Sequence, residues 1–231
     1  MKTIGLLGGM SWESTETYYR LINEGVKKAL GGLHSAKIAM VSVDFEPLEK
    51  CLQTGDWGRI SAELCRAAKN IQAAGADFML ICTNTMHKVA PDIEEAVDIP
   101  LLHIADAAAQ ALVKDEYSKV GLLGTAFTME QDFFTGRLAR DFGLEVVIPK
   151  KGDREIVNDI IFQELCLGQV LNQSREEYAG IAADLAAQGA QAIILGCTEI
   201  GMLLDQKDAP VPLYDTTVIH AQQAVAYALK G

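Results

Sequence analysis

Two short segments carry side chains able to move protons. Cys197-Thr198-Glu199 follows the apolar run Ala192–Leu195, and Thr83-Asn84-Thr85 follows Asp77–Cys82. A cysteine thiol has an ordinary pKa of about 8.5 that falls readily at a helix N-terminus, so it serves as a base near neutral pH. The segments are copies of one pattern. Gly75-Ala-Asp-Phe-Met-Leu-Ile-Cys-Thr-Asn-Thr85 is echoed by Gly189-Ala-Gln-Ala-Ile-Ile-Leu-Gly-Cys-Thr-Glu199, and counting eight residues on from each glycine sets Thr83 opposite Cys197. Cys82 then falls opposite Gly196, which favours Thr83 as the counterpart despite the adjacent thiol. Groups related by a pseudo-twofold axis flank a ligand from opposite faces. Removing a proton at one face and delivering one at the other inverts a carbon centre. Standing alone, Cys197 would read as a small buried residue at a strand end; the repeat and the flanking Thr-Glu favour chemistry.

A second echo sets the frame. Lys2-Thr-Ile-Gly-Leu-Leu-Gly-Gly-Met10 recurs as Lys119-Val-Gly-Leu-Leu-Gly-Thr-Ala126, with Gly5 and Gly121 separated by 116 residues against 114 for Gly75 and Gly189. Two ordered matches at nearly one offset indicate an internal duplication. Strands are expected at Thr3–Leu7, Lys37–Val43, Asp77–Cys82, Leu101–Ile104, Val120–Leu123, Glu145–Ile148, Ala192–Leu195 and Val211–Tyr214. Helices are expected from Trp12 to Leu30 (capped by Ser11, stopped by Gly31-Gly32), Trp57–Ala74, Glu176–Gln188 and about Thr217–Leu229. Strand alternating with helix throughout predicts an α/β protein of two pseudo-symmetric parallel-sheet halves with a common cleft between them. The first half is expected to span 1–112 plus 215–231 and the second 113–214. Ligands of such sheets bind beyond the carboxyl ends of the strands, which singles out Gly8-Gly9-Met10-Ser11, Thr83-Asn84-Thr85, Gly124-Thr125 and Cys197-Thr198-Glu199.

Composition narrows the field. The 231 residues carry a net charge of −11, which argues against nucleic acid as a partner. No uncharged stretch reaches the roughly 18 residues of a membrane-spanning helix, and the N-terminus has no signal-peptide pattern. Five cysteines without close pairs argue against a disulfide framework and for a reducing cytoplasm. No His/Cys/Asp cluster has metal-ligand spacing, and Gly5-Leu-Leu-Gly-Gly9 departs from the dinucleotide fingerprint.

Gly-Gly-Met at 8–10, Cys-Thr-Asn-Thr-Met-His at 82–87 and Gly-Cys-Thr-Glu at 196–199 resemble the aspartate/glutamate racemase family. The resemblance covers essentially the whole chain and lies closer to the aspartate branch. It implies two similar α/β domains, an active site between them, no pyridoxal phosphate, commonly a homodimer, and a cysteine in each half as the two catalytic bases. This chain has Thr83 where the family has its first cysteine. It is similar in this to a bacterial branch specific for L-aspartate and L-glutamate that pairs Thr with Cys. On that basis Cys197 removes the Cα proton of the L form and Thr83 delivers a proton at the opposite face.

The donors around these bases suit a carboxylate. Asn84, Thr85, Thr125 and Thr198 combine hydroxyl and amide donors with backbone N–H groups, and would also steady the charge that forms when Cα loses its proton. Helix capping is their ordinary alternative role. Thr128 falls on the same loop or first turn as Thr125, and the family motif sets Met10 near the substrate. His87, about one helical turn beyond Asn84, could tune a base, bind the distal carboxylate or serve structure. His103 and His220 are weaker candidates. For the distal carboxylate, Gln53, Lys88, Arg137 and Lys151 stay open, because Asp44-Phe-Glu-Pro-Leu-Glu49 has acids where a basic residue is sought. Two other readings remain: a one-cysteine decarboxylase or cis–trans isomerase acting on a dicarboxylate, and a non-catalytic amino-acid-binding protein.

Overall fold

The structure, a computed structural model, describes residues 1–230. The chain divides into two compact units, Met1–Ile104 with the chain from His220 on, and Ala105–Ile219.

The first unit contains β1 (Ile4–Gly8), α1 (Trp12–Leu30), β2 (Ile38–Ser42), α2 (Phe45–Thr54), α3 (Trp57–Ala73), β3 (Phe78–Ile81), a 3-10 helix at Thr85–Val89 and α4 (Ala90–Ala96). Its strands are parallel in the order β2-β1-β3, with Ile4 level with Ile38 and Phe78. All five residues of β1 are buried, which is why the strand reads as a continuous apolar run rather than an alternation. Helix α1 starts where the Ser11 hydroxyl accepts the Ser14 N–H at 3.3 Å, and stops at Gly31, φ +74°. Both signals were legible in the sequence.

At α5 (Ile104–Lys114) the chain passes to the second unit. There follow β4 (Lys119–Gly124), α6 (Ala126–Glu130), α7 (Thr135–Phe142), β5 (Glu145–Val147), α8 (Lys151–Gln163), α9 (Asn172–Ala187), β6 (Ala192–Gly196), α10 (Ile200–Leu203), β7 (Leu213–Asp215) and α11 (Thr216–Leu229). The second sheet is parallel in the order β5-β4-β6-β7. Strands β5-β4-β6 thus repeat β2-β1-β3, and the duplication extends further. Met79 N–H donates to Pro100 O at 2.9 Å, as Ile193 N–H donates to Pro212 O at 2.8 Å.

Two expected strands change here. Leu101–Ile104 reduces to a single parallel bridge, Leu101 to Met79, because Ile104 already opens α5. Val211–Tyr214 becomes Leu213–Asp215, since Pro212 has no N–H to give a ladder. Helix α9 begins at Asn172, four residues ahead of the expected Glu176; its first turn, Asn-Gln-Ser-Arg, is too polar to show in the apolar period.

After the return at His220, Ala221, Ala224, Val225 and Ala228 of α11 pack with Ile4, Leu6, Tyr18, Ile22, Val26, Phe78, Leu80 and Cys82. Each large apolar side chain so buried contributes about 1.5–3 kcal/mol, so the last helix is part of the first core. Among the described residues no helix is long and apolar enough to cross a membrane.

Candidate active site

In the first unit, the loops after β1 and β3 lie beyond neighbouring strand ends, since Leu7 is level with Ile81. Gly9 is required in the first of these loops. Its φ is +94°, a Cβ there would sit 2.2 Å from Val43 O, and its N–H donates to Thr15 Oγ1 at 2.8 Å. Thr15 Oγ1 in turn donates to Ser11 O at 3.0 Å, so the turn carrying Met10 is tied to the start of α1. Met10 is buried. Ser14 Oγ donates to Cys82 O at 2.9 Å and joins this loop to the second one.

Thr83 is half-buried, and Asn84 and Thr85 are buried beside it. Cys82 is fully buried in the apolar core, and loss of solvent pushes its thiol well above the ordinary range. It is a packing residue. His87, also buried, contacts the Thr83 carbonyl through Nδ1 at 2.8 Å.

In the second unit, Thr125 Oγ1 caps α6 by accepting Thr128 N–H at 3.3 Å, and lies 3.2 Å from Thr128 Oγ1. Thr128 is fully buried. Gly124 and Gly196 pair across β4 and β6, and a Cβ on Gly196 would come within 3.3 Å of Thr128 Cγ2. The Thr125–Thr128 turn and the Cys197 loop are therefore adjacent. Cys197 and Glu199 are buried, and Sγ donates to Glu199 Oε2 at 3.0 Å. The Thr198 hydroxyl, half-buried, donates to the same oxygen at 2.6 Å.

The expectation of a thiol with a lowered pKa is corrected here. Burial first, then the Glu199 charge, push the Cys197 thiol well above its ordinary value, with Cys166 adding to the same direction. Helix α10 has only four residues, too few to offset this. The resting state is a thiol hydrogen-bonded to a carboxylate.

The candidates for a distal carboxylate are scattered. Gln53 is exposed and its amide donates to Glu49 Oε1 at 2.5 Å. Lys88 Nζ lies 4.0 Å above the Trp57 ring centroid, with burial lowering its pKa. Arg137 forks onto Asp106, Nε to Oδ1 at 2.5 Å and Nη2 to Oδ2 at 2.8 Å, and Lys151 is exposed on α8. Sequence reasoning missed Asp215. It caps α11 by accepting Thr217 N–H at 2.8 Å and Val218 N–H at 3.1 Å, and its Oδ2 lies 2.5 Å from where a Cβ on Gly201 would stand. The Asp-Thr-Thr sequence ahead of an apolar helix was the available signal. Tyr178, whose OH donates to Val157 O at 2.9 Å and whose pKa is raised by burial and by Cys197, carried no such signal. Among the described residues no group of three or more His, Cys, Asp or Glu is placed to hold a metal ion.

A sequence model of the Asp/Glu/Hydantoin racemase family aligns with residues 7–224. The chain belongs to this family. It is thus an isomerase of the amino-acid racemase class. The broad-specificity amino-acid racemase RacX of Bacillus subtilis is 22% identical over 224 residues, 96% of each chain. Glutamate racemase of Pseudomonas putida is 30% identical over 199 residues, covering 80% of this chain and 72% of its own. Among solved structures, an aspartate racemase homologue from Pyrococcus horikoshii superposes with a TM-score of 0.84 at 33% identity over 99% of both chains. A Yersinia pestis protein, provisionally assigned as an Asp/Glu racemase, superposes with a TM-score of 0.94 at 54% identity over the full length of both. Two parallel-sheet α/β domains are the racemase architecture, as expected from the sequence.

Proposed function

We propose that this racemase acts on an acidic amino acid, L-aspartate or L-glutamate, by moving the Cα proton between Cys197 and Thr83 without a cofactor. The supporting observation is the equivalence of the two loops. Thr83 follows β3 in the first sheet as Cys197 follows β6 in the second, and β3 pairs with β1 as β6 pairs with β4. In this reading Asn84, Thr85, Thr125 and Thr198 supply donors for the α-carboxylate, and Met10 and Thr128 are further substrate-binding residues.

The resting thiol needs a proton acceptor, and Glu199 is in place for it. Glu199 takes the thiol proton, the thiolate takes the Cα proton of the L form, and the Thr83 hydroxyl gives its proton to the opposite face. Solvent then carries one proton from Glu199 back to Thr83, which leaves the enzyme unchanged. An alkoxide is not a resting state of threonine, so the return is coupled to the transfer. General acid–base assistance is typically worth about 10²–10⁴-fold, and this weaker second acid makes for slow turnover. By its resemblance the chain works as a homodimer, and its five free cysteines suit a reducing cytoplasm.

Incubation with L-aspartate or L-glutamate in deuterium oxide tests the reading. Deuterium at Cα and a Cys197-dependent loss of optical rotation are expected. Carbon dioxide release or cis–trans isomerisation of a dicarboxylate would replace it with a one-cysteine reaction, and saturable binding without exchange would replace it with a sensor.

A further inference from the structure

Three histidines, His87, His103 and His220, are buried in the first unit. The rings of His87 and His103 meet edge to face with centroids 4.5 Å apart, and the His220 ring lies 6.0 Å from His87. Backbone groups fix the state of His87. Its Nδ1 is 2.8 Å from the Thr83 carbonyl, which can only accept, so Nδ1 carries the hydrogen. Its Nε2 is 3.2 Å from the Ile104 amide, which donates, so Nε2 is bare. Only the neutral Nδ1–H imidazole satisfies both at once.

The ring therefore ties the Thr83 peptide to Ile104, the last residue of the first unit before the chain crosses. His220, the first residue after the chain returns, is held in a comparable way. Its Nε2 donates to Leu102 O at 2.9 Å, leaving Nδ1 to accept from Tyr18 OH at 2.8 Å. Leu102 N–H donates to Met79 O in β3, the strand that leads into Thr83.

The duplication sharpens what His87 does. Its counterpart at the offset of 114 residues is Gly201, which has no ring, while the counterpart of Thr85 is Glu199. The Cys197 loop thus supplies an ionisable partner to its own reactive atom. The Thr83 loop has no carboxylate at that position and is braced through its backbone instead. A hydroxyl that must deliver a proton without resting as an alkoxide depends on distance and direction, since misplacement by about 1 Å costs on the order of 10²-fold.

We infer that His87 is a positioning residue for Thr83: its neutral imidazole clamps the Thr83 carbonyl to the crossing segment at Ile104 and so presents the hydroxyl in one geometry. The inference rests on the racemase reading above. His87 touches no reacting atom.

Three variants separate its two bonds. His87→Asn places a donor near Nδ1 and keeps the bond to Thr83; His87→Gln places an acceptor near Nε2 and keeps the bond to Ile104; His87→Phe keeps neither. Racemisation and L-substrate Cα–deuterium exchange are measured for each. Exchange from the Cys197 side is expected to persist in all three. Racemisation is expected to fall by about tenfold or more in His87→Gln and His87→Phe, in kcat rather than KM, and less in His87→Asn. Equal loss of exchange and racemisation, or identical behaviour of the Asn and Gln variants, would overturn the inference. The nitrogen-15 NMR signals of His87 in the wild-type protein provide a check that needs no variant to fold. A neutral Nδ1–H ring supports the clamp, and an Nε2–H or doubly protonated ring overturns it. Absence of exchange by the wild-type enzyme would instead remove the racemase reading and leave the tautomer result standing.

Discussion

The Cys197 thiol donates to the Glu199 carboxylate across 3.0 Å within a buried loop. Such a pair carries one negative charge between its members, because a thiolate beside a buried carboxylate is disfavoured by repulsion and by loss of solvent. In the proposed mechanism proton removal from Cα begins with transfer from sulfur to Glu199, and two consequences of opposite sign follow for one substitution.

Glu199→Gln removes the charge that raises the thiol pKa, yet also removes the acceptor. Alkylation of Cys197 by iodoacetamide is expected to accelerate at neutral pH, with its pH midpoint moving down toward that of an ordinary cysteine. Racemisation is expected to fall by about 10²-fold or more. If turnover rises together with thiol reactivity, Glu199 is only an electrostatic burden on Cys197.

Thr83→Cys restores a second thiol at the end of β3. Racemisation has an equilibrium constant of one, so kcat/KM must change equally for both enantiomers. It is expected to be retained or raised, as a thiol is the better proton carrier. A folded variant that binds substrate and has no activity in polarimetry would count against the paired-base assignment.

Asp215→Asn tests a half-buried acid. Burial raises the Asp215 pKa more than its hydrogen bonds with Thr217 and Val218 lower it. The folded state therefore binds its proton more tightly than the unfolded state, and this contribution to stability is lost as pH rises through the raised pKa. Asparagine keeps the Oδ1 acceptor for Thr217 and Val218 without the charge. Urea denaturation at pH 7 is expected to show the variant at least as stable as the wild type, with any advantage shrinking as pH falls toward 4. A markedly less stable variant at pH 7 would mean that the ionised carboxylate is the native form.

Gly9→Ala forces a left-handed backbone on a residue with a side chain and drives Cβ into the Val43 backbone. A loss of at least about 2 kcal/mol is expected, with weakened substrate binding through Met10. Thermal melting near that of the wild type would show that the turn relaxes freely.

Much of this was written in the chain. The continuous apolar runs at Ile4–Gly8 and Ala192–Gly196 mark strands buried on both faces, and the matched glycines Gly75 and Gly189 mark the duplication in the sequence itself. Ser11 and Gly31 fixed both ends of α1. What escaped was set by tertiary contact. The thiol of Cys197 was expected to be acidic from its place in the chain, whereas burial and Glu199 reverse the shift. The state of His87 follows from two backbone groups, one of them seventeen residues away at Ile104, and spacing alone could not foretell it. The role of Asp215 needed the close approach of Gly201.

Deuterium exchange by Thr83→Val on L-aspartate or L-glutamate, followed by chiral separation, tests the two-base assignment most directly. With Cys197 and Glu199 intact and the opposite hydroxyl gone, deuterium should enter Cα while the product stays L, and Cys197→Ser should abolish that exchange. Formation of deuterated D product by Thr83→Val at the wild-type rate would contradict the account, since inversion would then proceed without Thr83.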